Sequence, residues 1–190
     1  LTSFIEAPQG SGLGTSSTIV VSLLGAFVEW LKLPLGNYDI AHLAYEIERV
    51  DLNMAGGKQD QYAASYGGFN VMKFKGDEVD CRSFSEYDGS IMAPVYLNEK
   101  LQCFATKISR KTSDILNNQV DSLKKGSIID TTSEMVSIAK VAFDKLMKLN
   151  IDDFGSLLND TWNLKKKLAS NISNPCIDEI YELGLKNGAL

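Results

Sequence analysis

The sequence predicts an α+β fold built from 190 residues. Strand-like runs are few, helical periodicities are many, and the two are mixed rather than strictly alternating, which disfavours a doubly wound sheet. The composition, 44% hydrophobic and 23% charged, is that of an ordinary globular chain with a core to bury. A glycine-rich loop stands between the first strand-like run and the first helical one, so a strand–loop–helix unit opens the chain. The length suits one domain or two small ones. The irregular stretch near residues 85–100, with Asp88-Gly89 and Pro94, is the candidate boundary.

Residues 1–7 read as a strand. Ala7 to Thr18 then supplies three glycines (Gly10, Gly12, Gly14) followed by four hydroxyl residues, the side chains preferred at a helix N-cap. Ile19 to Leu31 is apolar nearly all round and is expected to be buried on most faces. Pro34 and Gly36 end it, and Asn37 can cap a second helix striped by Ile40, Leu43, Ala44, Ile47 and Val50. After a turn over Asn53–Gly57, residues 58–64 form a short helix ended by Gly67-Gly68. Phe69–Phe74 and Val79–Phe84 form a hairpin around Lys75-Gly76-Asp77.

Further on, Leu101–Ile108 is a strand candidate and Ile115–Leu123 is helical. Thr131-Thr132-Ser133-Glu134 reads as a capping box before a helix carrying Met135, Ile138, Ala139, Ala142, Phe143 and Leu146 on one face. Phe154, Leu157, Leu158 and Leu168 mark another helix. Asn174-Pro175 places a cap and an N1 proline at the start of a helix through Leu183.

A net charge of −5 disfavours nucleic acid as a partner, because such binding depends on Lys and Arg neutralising phosphates. No apolar run approaches the roughly 20 residues of a membrane span, so no membrane partner is expected. Three scattered cysteines, Cys81, Cys103 and Cys176, point to a reduced, cytoplasmic chain rather than a disulfide framework. The single histidine, His42, leaves no room for a His-rich zinc site or a His-dependent triad and reads as a surface or packing residue. Leu1 opens in mid-strand and Leu190 closes without a tail, so the sequence reads as a segment of a longer chain.

The glycine loop is built for an anion. A helix N-terminus presents unpaired N–H groups and partial positive charge, and glycine lets the backbone approach a phosphate closely. The loop is neither a Walker A motif, since no Lys follows its last glycine, nor a dinucleotide fingerprint. A tight turn with no ligand remains the plain alternative. Pro8 before it and Thr15-Ser16-Ser17 after it favour the anion.

The run from Pro8 through Gly10, Gly12, Leu13, Gly14 and Thr15 to Ser16-Ser17 resembles the phosphate loop of the GHMP kinases, the small-molecule kinases that include galactokinase, homoserine kinase and mevalonate kinase. Gly56-Gly57-Lys58-Gln59-Asp60-Gln61-Tyr62-Ala63-Ala64, followed by Gly67-Gly68, resembles the heptose phosphate kinase and fucokinase branch of that family. Two such motifs in the family's order are more specific than either alone. The resemblance extends to Ser109-Arg110. The family's basic first motif and its glycine-rich third motif have no counterpart here, so the segment by itself is expected to turn over slowly or not at all.

The resemblance implies a two-layer kinase fold. Residues 1–90 would belong to the N-terminal, ribosomal protein S5 domain 2-like part that binds ATP. Residues 91–190 would belong to a ferredoxin-like C-terminal part of helices and strands. It implies ATP and Mg²⁺ as cofactors and a sugar or sugar phosphate as acceptor, with heptose 7-phosphate first, yielding the 1,7-bisphosphate for nucleotide-heptose, lipopolysaccharide or capsule synthesis. Fucose or galactose comes next, and a homodimer is compatible with it. Pro8, Gly10, Ser11, Gly12, Leu13, Gly14, Thr15, Ser16 and Ser17 would hold the nucleotide, and the Ser16 hydroxyl would also meet Mg²⁺. Asp60 would be the general base. Lys58, Gln59 and Arg110 would meet the sugar or its phosphate, Arg by a bidentate fork and Lys by point charge. The second metal oxygen would come from Glu46 or Glu48. A helical wheel puts each about 100° from the apolar stripe on opposite flanks, while the family pattern prefers Glu48. A non-catalytic sugar- or ATP-binding relative would keep the loop but need not keep Asp60.

Overall fold

The computed structural model describes residues 2, 4–7, 11–87, 92–106 and 112–189, without the side chains of 112–115 and 117. The chain divides into two compact units, Leu1–Glu86 with Lys107–Ser113, and Tyr87–Thr106 with Asp114–Leu190.

The first unit runs α1 (Thr15–Leu31), α2 (Asn37–Tyr45), a π-helical turn (Glu46–Asp51), α3 (Gln59–Tyr66), β1 (Asn70–Lys75) and β2 (Glu78–Ser83). The strands pair antiparallel from Asn70↔Ser83 to Lys75↔Glu78. Gly76, at φ 59°, occupies the first position of the two-residue turn, where a positive φ is required. The core forms where α2, α3 and the hairpin meet. Tyr62 and Ala41 are fully buried beside Val79 and Cys81, and Tyr66 and Met72 close around them. Phe84, 1% exposed, meets Phe69 edge-on at 5.2 Å. Burying a side chain of that size stabilises by about 1.5–3 kcal/mol. Ser65 Oγ donates to the Asn37 carbonyl at 2.6 Å and ties α3 to α2.

Several expectations are corrected here. Thr2 and Phe4–Ala7 form no strand: a strand exists only where its backbone groups find a ladder, and the one ladder among the described residues is β1–β2. Helix α1 starts four residues early, at Thr15, so the hydroxyl residues lie inside its first turn and Gly14 is the N-cap. It is not buried on most faces. Only Ser17 and Val21 are buried, and Trp30 is 74% exposed. Asn37 is the first residue of α2, and the cap is Gly36, whose N–H donates to Asp39 Oδ2 at 2.9 Å. The buried stripe of that segment is Ala41, Ala44 and Glu48, displaced from the apolar one.

The remaining described helices are α4 (Met92–Lys100), α5 (Thr112–Lys124), α6 (Ile129–Met147), α7 (Phe154–Leu168) and α8 (Pro175–Lys186), all in the second unit but for the first two residues of α5. Helix α4 occupies part of the stretch expected to be irregular. Its Pro94 lies in the first turn, where the missing N–H has no intrahelical partner to lose. Residues 101–106 are not a strand, and residues 107–108 lie outside the described residues. The expected capping box is absent as well. Helix α6 begins at Ile129, and Thr132 Oγ1 donates to the Ile128 carbonyl at 2.8 Å. Asn174 does cap α8, its Oδ1 accepting from Ile177 N at 3.0 Å with Pro175 at N1. Tyr181 OH donates to Asn159 Oδ1 at 2.7 Å, joining α8 to α7. Among the described residues no helix is long and apolar enough to cross a membrane.

Candidate active site

The site is assembled where α1, the π-helical turn and α3 meet. Gly12 and Gly14 both have positive φ, 76° and 67°, a backbone region costly to residues with a Cβ. That conformation turns the loop sharply into α1. Gly14 has no side chain to cap the helix, and the first turn of α1 contains no acidic residue. The leading N–H groups are therefore left for an external acceptor. An apolar groove of about 560 Å³ flanks the loop, lined by Phe4, Ile5, Leu13, Ile19 and Leu23 among others.

Gly14 also faces Asp60. A Cβ on Gly14 would lie 3.2 Å from Asp60 Cγ and 3.5 Å from its Oδ1, so the carboxyl group stands on the open side of the loop's last glycine. Asp60 lies in the first turn of α3 and is exposed. The structure thus brings together the two sequence motifs, with the expected base beside the expected phosphate loop.

Behind the loop lies a buried polar cluster. Ser17 and Glu48 are each 1% exposed and Gln61 is fully buried. Gln61 Nε2 donates to Glu48 Oε2 at 2.5 Å and to Ser17 Oγ at 3.3 Å. Ser16 Oγ donates to Glu48 Oε1 at 3.4 Å. The π-helical turn places the two glutamates in different surroundings. It carries one more residue per turn, closing with Leu52 N to the Ile47 carbonyl at 3.0 Å. Glu48 turns inward to Ser16, while Glu46 is half-exposed and 4.0 Å from His42. Among the described residues no basic side chain forms an ion pair with Glu48.

The remaining expected residues are less uniform in placement. Ser11, Leu13 and Gln59 are exposed, and Thr15 is half-buried. The Ser17 hydroxyl faces inward to Gln61, so only its backbone is free to face a nucleotide. The Lys58 ammonium sits 4.9 Å from the centre of the Tyr45 ring. It also reaches the hairpin turn, donating to the Gly76 and Asp77 carbonyls and to Asp77 Oδ1 at 3.3–3.4 Å. Pro8, Gly10 and Arg110 lie outside the described residues. Gln61 and Arg49 carry no role expected from the sequence. Gln61 stood in the quoted motif, but its burial is a tertiary fact. Arg49 Nε donates to the Gly57 carbonyl at 3.2 Å, and its guanidinium occupies the space that a Cβ on Gly56 would take.

Residues 3–68 match the family model for the GHMP kinases N terminal domain. It is 41% identical over 194 residues to a D-glycero-alpha-D-manno-heptose 7-phosphate kinase of Campylobacter jejuni, an alignment that covers all of this chain and 55% of that enzyme. It is 28% identical to a mevalonate kinase of Methanocaldococcus jannaschii, over 96% of this chain and 54% of the relative. A crystal structure of a D-glycero-D-manno-heptose 1-phosphate kinase from Bacteroides thetaiotaomicron superposes with a TM-score of 0.60 at 37% identity, over 86% of this chain and 47% of that one. The chain therefore spans about half the length of these relatives.

Proposed function

We propose that the complete protein is an ATP- and Mg²⁺-dependent kinase of a heptose monophosphate, with heptose 7-phosphate as acceptor and the 1,7-bisphosphate as product, serving nucleotide-heptose, lipopolysaccharide or capsule synthesis. One observation supports the chemistry above all. The carboxyl group of Asp60 beside the open face of Gly14, with the hydrogen bond from Ser16 to Glu48, sets an anion-receiving helix end, a carboxylate base and a pair of oxygen ligands side by side. The substrate class rests on the heptose phosphate kinases to which the chain is similar. We assign the protein to the cytoplasm, where ATP is at hand and the unpaired Cys81, Cys103 and Cys176 stay reduced. The S5 domain 2-like and ferredoxin-like descriptions of the two parts belong to this same reading.

In this reading the loop from Gly10 to Thr15 holds the ATP phosphates by its backbone N–H groups. Ser16 and Glu48 offer hard oxygens, the donor set that Mg²⁺ takes alongside phosphate oxygens. Among the described residues no cluster of three or more acidic, Cys or His side chains could hold a metal unaided, which fits a cation shared with the nucleotide. Bound there, Mg²⁺ would neutralise charge gathering on the transferred phosphoryl group. Asp60 accepts the proton of the attacking sugar hydroxyl as its oxygen bonds to the γ-phosphorus and the bond to the ADP oxygen breaks. Lys58, and Arg110 with Gln59, recognise the acceptor and its own phosphate. The long contacts of Lys58 to the hairpin turn are of a kind that phosphate oxygens can replace.

The test is transfer by the complete protein. With ATP, Mg²⁺ and heptose 7-phosphate, phosphorus NMR should show a new anomeric phosphate formed one-for-one with ADP. Transfer to fucose or galactose, with none to heptose 7-phosphate, would overturn the substrate assignment.

A further inference from the structure

We propose that Gln61 is a positioning residue that holds the Glu48 carboxylate in line with Ser16 for the metal-bearing nucleotide. The proposal rests on the reading of Glu48 and Ser16 given above. Gln61 has no access to solvent, an unusual setting for a flexible polar side chain. A carboxylate only accepts hydrogen bonds, so the amide nitrogen must face Glu48. That leaves Gln61 Oε1 buried without a partner among the described residues. A buried, unsatisfied carbonyl is costly, and an apolar side chain of the same volume would avoid it. The residue therefore supplies something the fold alone does not require.

The hydrogen bonds indicate what that is. The two protons of Nε2 go to Glu48 Oε2, from the π-helical turn, and to Ser17 Oγ, from the first turn of α1. Gln61 itself lies on α3, so one amide joins all three elements of the site. Occupying Oε2 leaves Oε1 as the carboxylate oxygen turned to Ser16. A carboxylate held at one oxygen cannot swing, and outer partners of this kind commonly set the strength of a metal site. Asp60, the next residue back along α3, stands where a Cβ on Gly14 would project. The same short helix thus delivers the base to one side of the loop and the Glu48 clamp to the other.

The experiment compares Gln61→Met, Glu48→Gln and the double variant in the complete protein. Mn²⁺ affinity is read by electron paramagnetic resonance in the presence of a non-hydrolysable ATP analogue, and thermal unfolding is followed alongside. Gln61→Met should weaken Mn²⁺ at least tenfold and raise the Mg²⁺ concentration for half-maximal activity by a similar factor. Much of kcat should return at saturating Mg²⁺. In the double variant the loss should equal that of Glu48→Gln alone, because Gln61 acts through that carboxylate. Should Gln61→Met fail to fold, Gln61→Glu and Ser17→Ala keep the comparison: the first sets two carboxyl groups against each other and the second removes one anchor of the amide. Unchanged Mn²⁺ affinity in folded Gln61 variants, with a loss in Glu48→Gln, overturns the positioning role alone. Unchanged affinity in both overturns the assignment of Glu48 and the positioning role with it.

Discussion

Asp60 stands on the side of Gly14 where a side chain would project, and the glycine's missing Cβ leaves that space to the carboxyl group. A Cβ at Gly14 would lie 3.2 Å from Asp60 Cγ, and the backbone there has φ 67°. Alanine at this position meets both penalties. The left-handed conformation costs about 1–2 kcal/mol, and the added carbon presses on the carboxyl group. Gly14→Ala should lower stability by that amount and cut kcat further than the stability loss explains, as Asp60 is displaced. Chemical denaturation and steady-state kinetics on the same preparation separate the two effects.

Gly12 provides a contrast. Its φ of 76° strains any side chain, but among the described residues a Cβ there would meet nothing within 4 Å. The space beside it is where the account puts the phosphates. Gly12→Val should leave a folded protein and abolish ATP binding by calorimetry. Undiminished ATP affinity in the folded variant would remove the triphosphate from this loop.

Lys58 is tested by comparing acceptors. If its ammonium exchanges the hairpin carbonyls for a substrate phosphate, Lys58→Met raises KM for heptose 7-phosphate severalfold and leaves an unphosphorylated sugar unaffected. An equal loss on both sugars, with a lowered Tm, would assign Lys58 to the hairpin alone.

The core beneath α3 should make the fold sensitive to alkali. Burial pushes the Cys81 thiol above its ordinary 9.0, helped by Asp80 and Glu86. Burial likewise raises the Tyr66 phenol above 10.0, as it does that of Tyr62. The folded state therefore keeps protons that the unfolded chain gives up. The associated stability is intact below about pH 9 and drains away as pH rises through the raised values. Urea midpoints should be level from pH 7 to pH 8.5 and fall from pH 9 to 11. Cys81→Ala should lessen the earliest part of that fall. A flat profile to pH 11 would contradict the burial argument.

How much of this was legible in the sequence depends on how local each signal is. The glycine loop, α3 with its Gly67-Gly68 stop, the hairpin and the Asn174 cap are encoded by neighbouring residues, and each formed close to where the pattern placed it. Glu46 against Glu48 was not decidable on a wheel, because the wheel assumes α-helical pitch and residues 46–51 form a π turn. Helix α4 was hidden by Pro94, which breaks a helix interior but is tolerated in a first turn. The strand readings at residues 1–7 and 101–108 used side-chain preference alone, whereas a strand also needs a partner. Gln61 looked like one polar residue among several in its motif. Only the fold shows that it is sealed against Glu48.

The proposed chemistry is tested most directly by Asp60→Asn in the complete protein, assayed with ATP and heptose 7-phosphate. The substitution keeps the shape that stands beside Gly14 and removes the proton acceptor. The account predicts a kcat lower by roughly 10²–10⁴, the worth of a positioned acid–base group, with KM for both substrates nearly unchanged because the loss belongs to the transition state. Full kcat in a folded Asp60→Asn enzyme would contradict it.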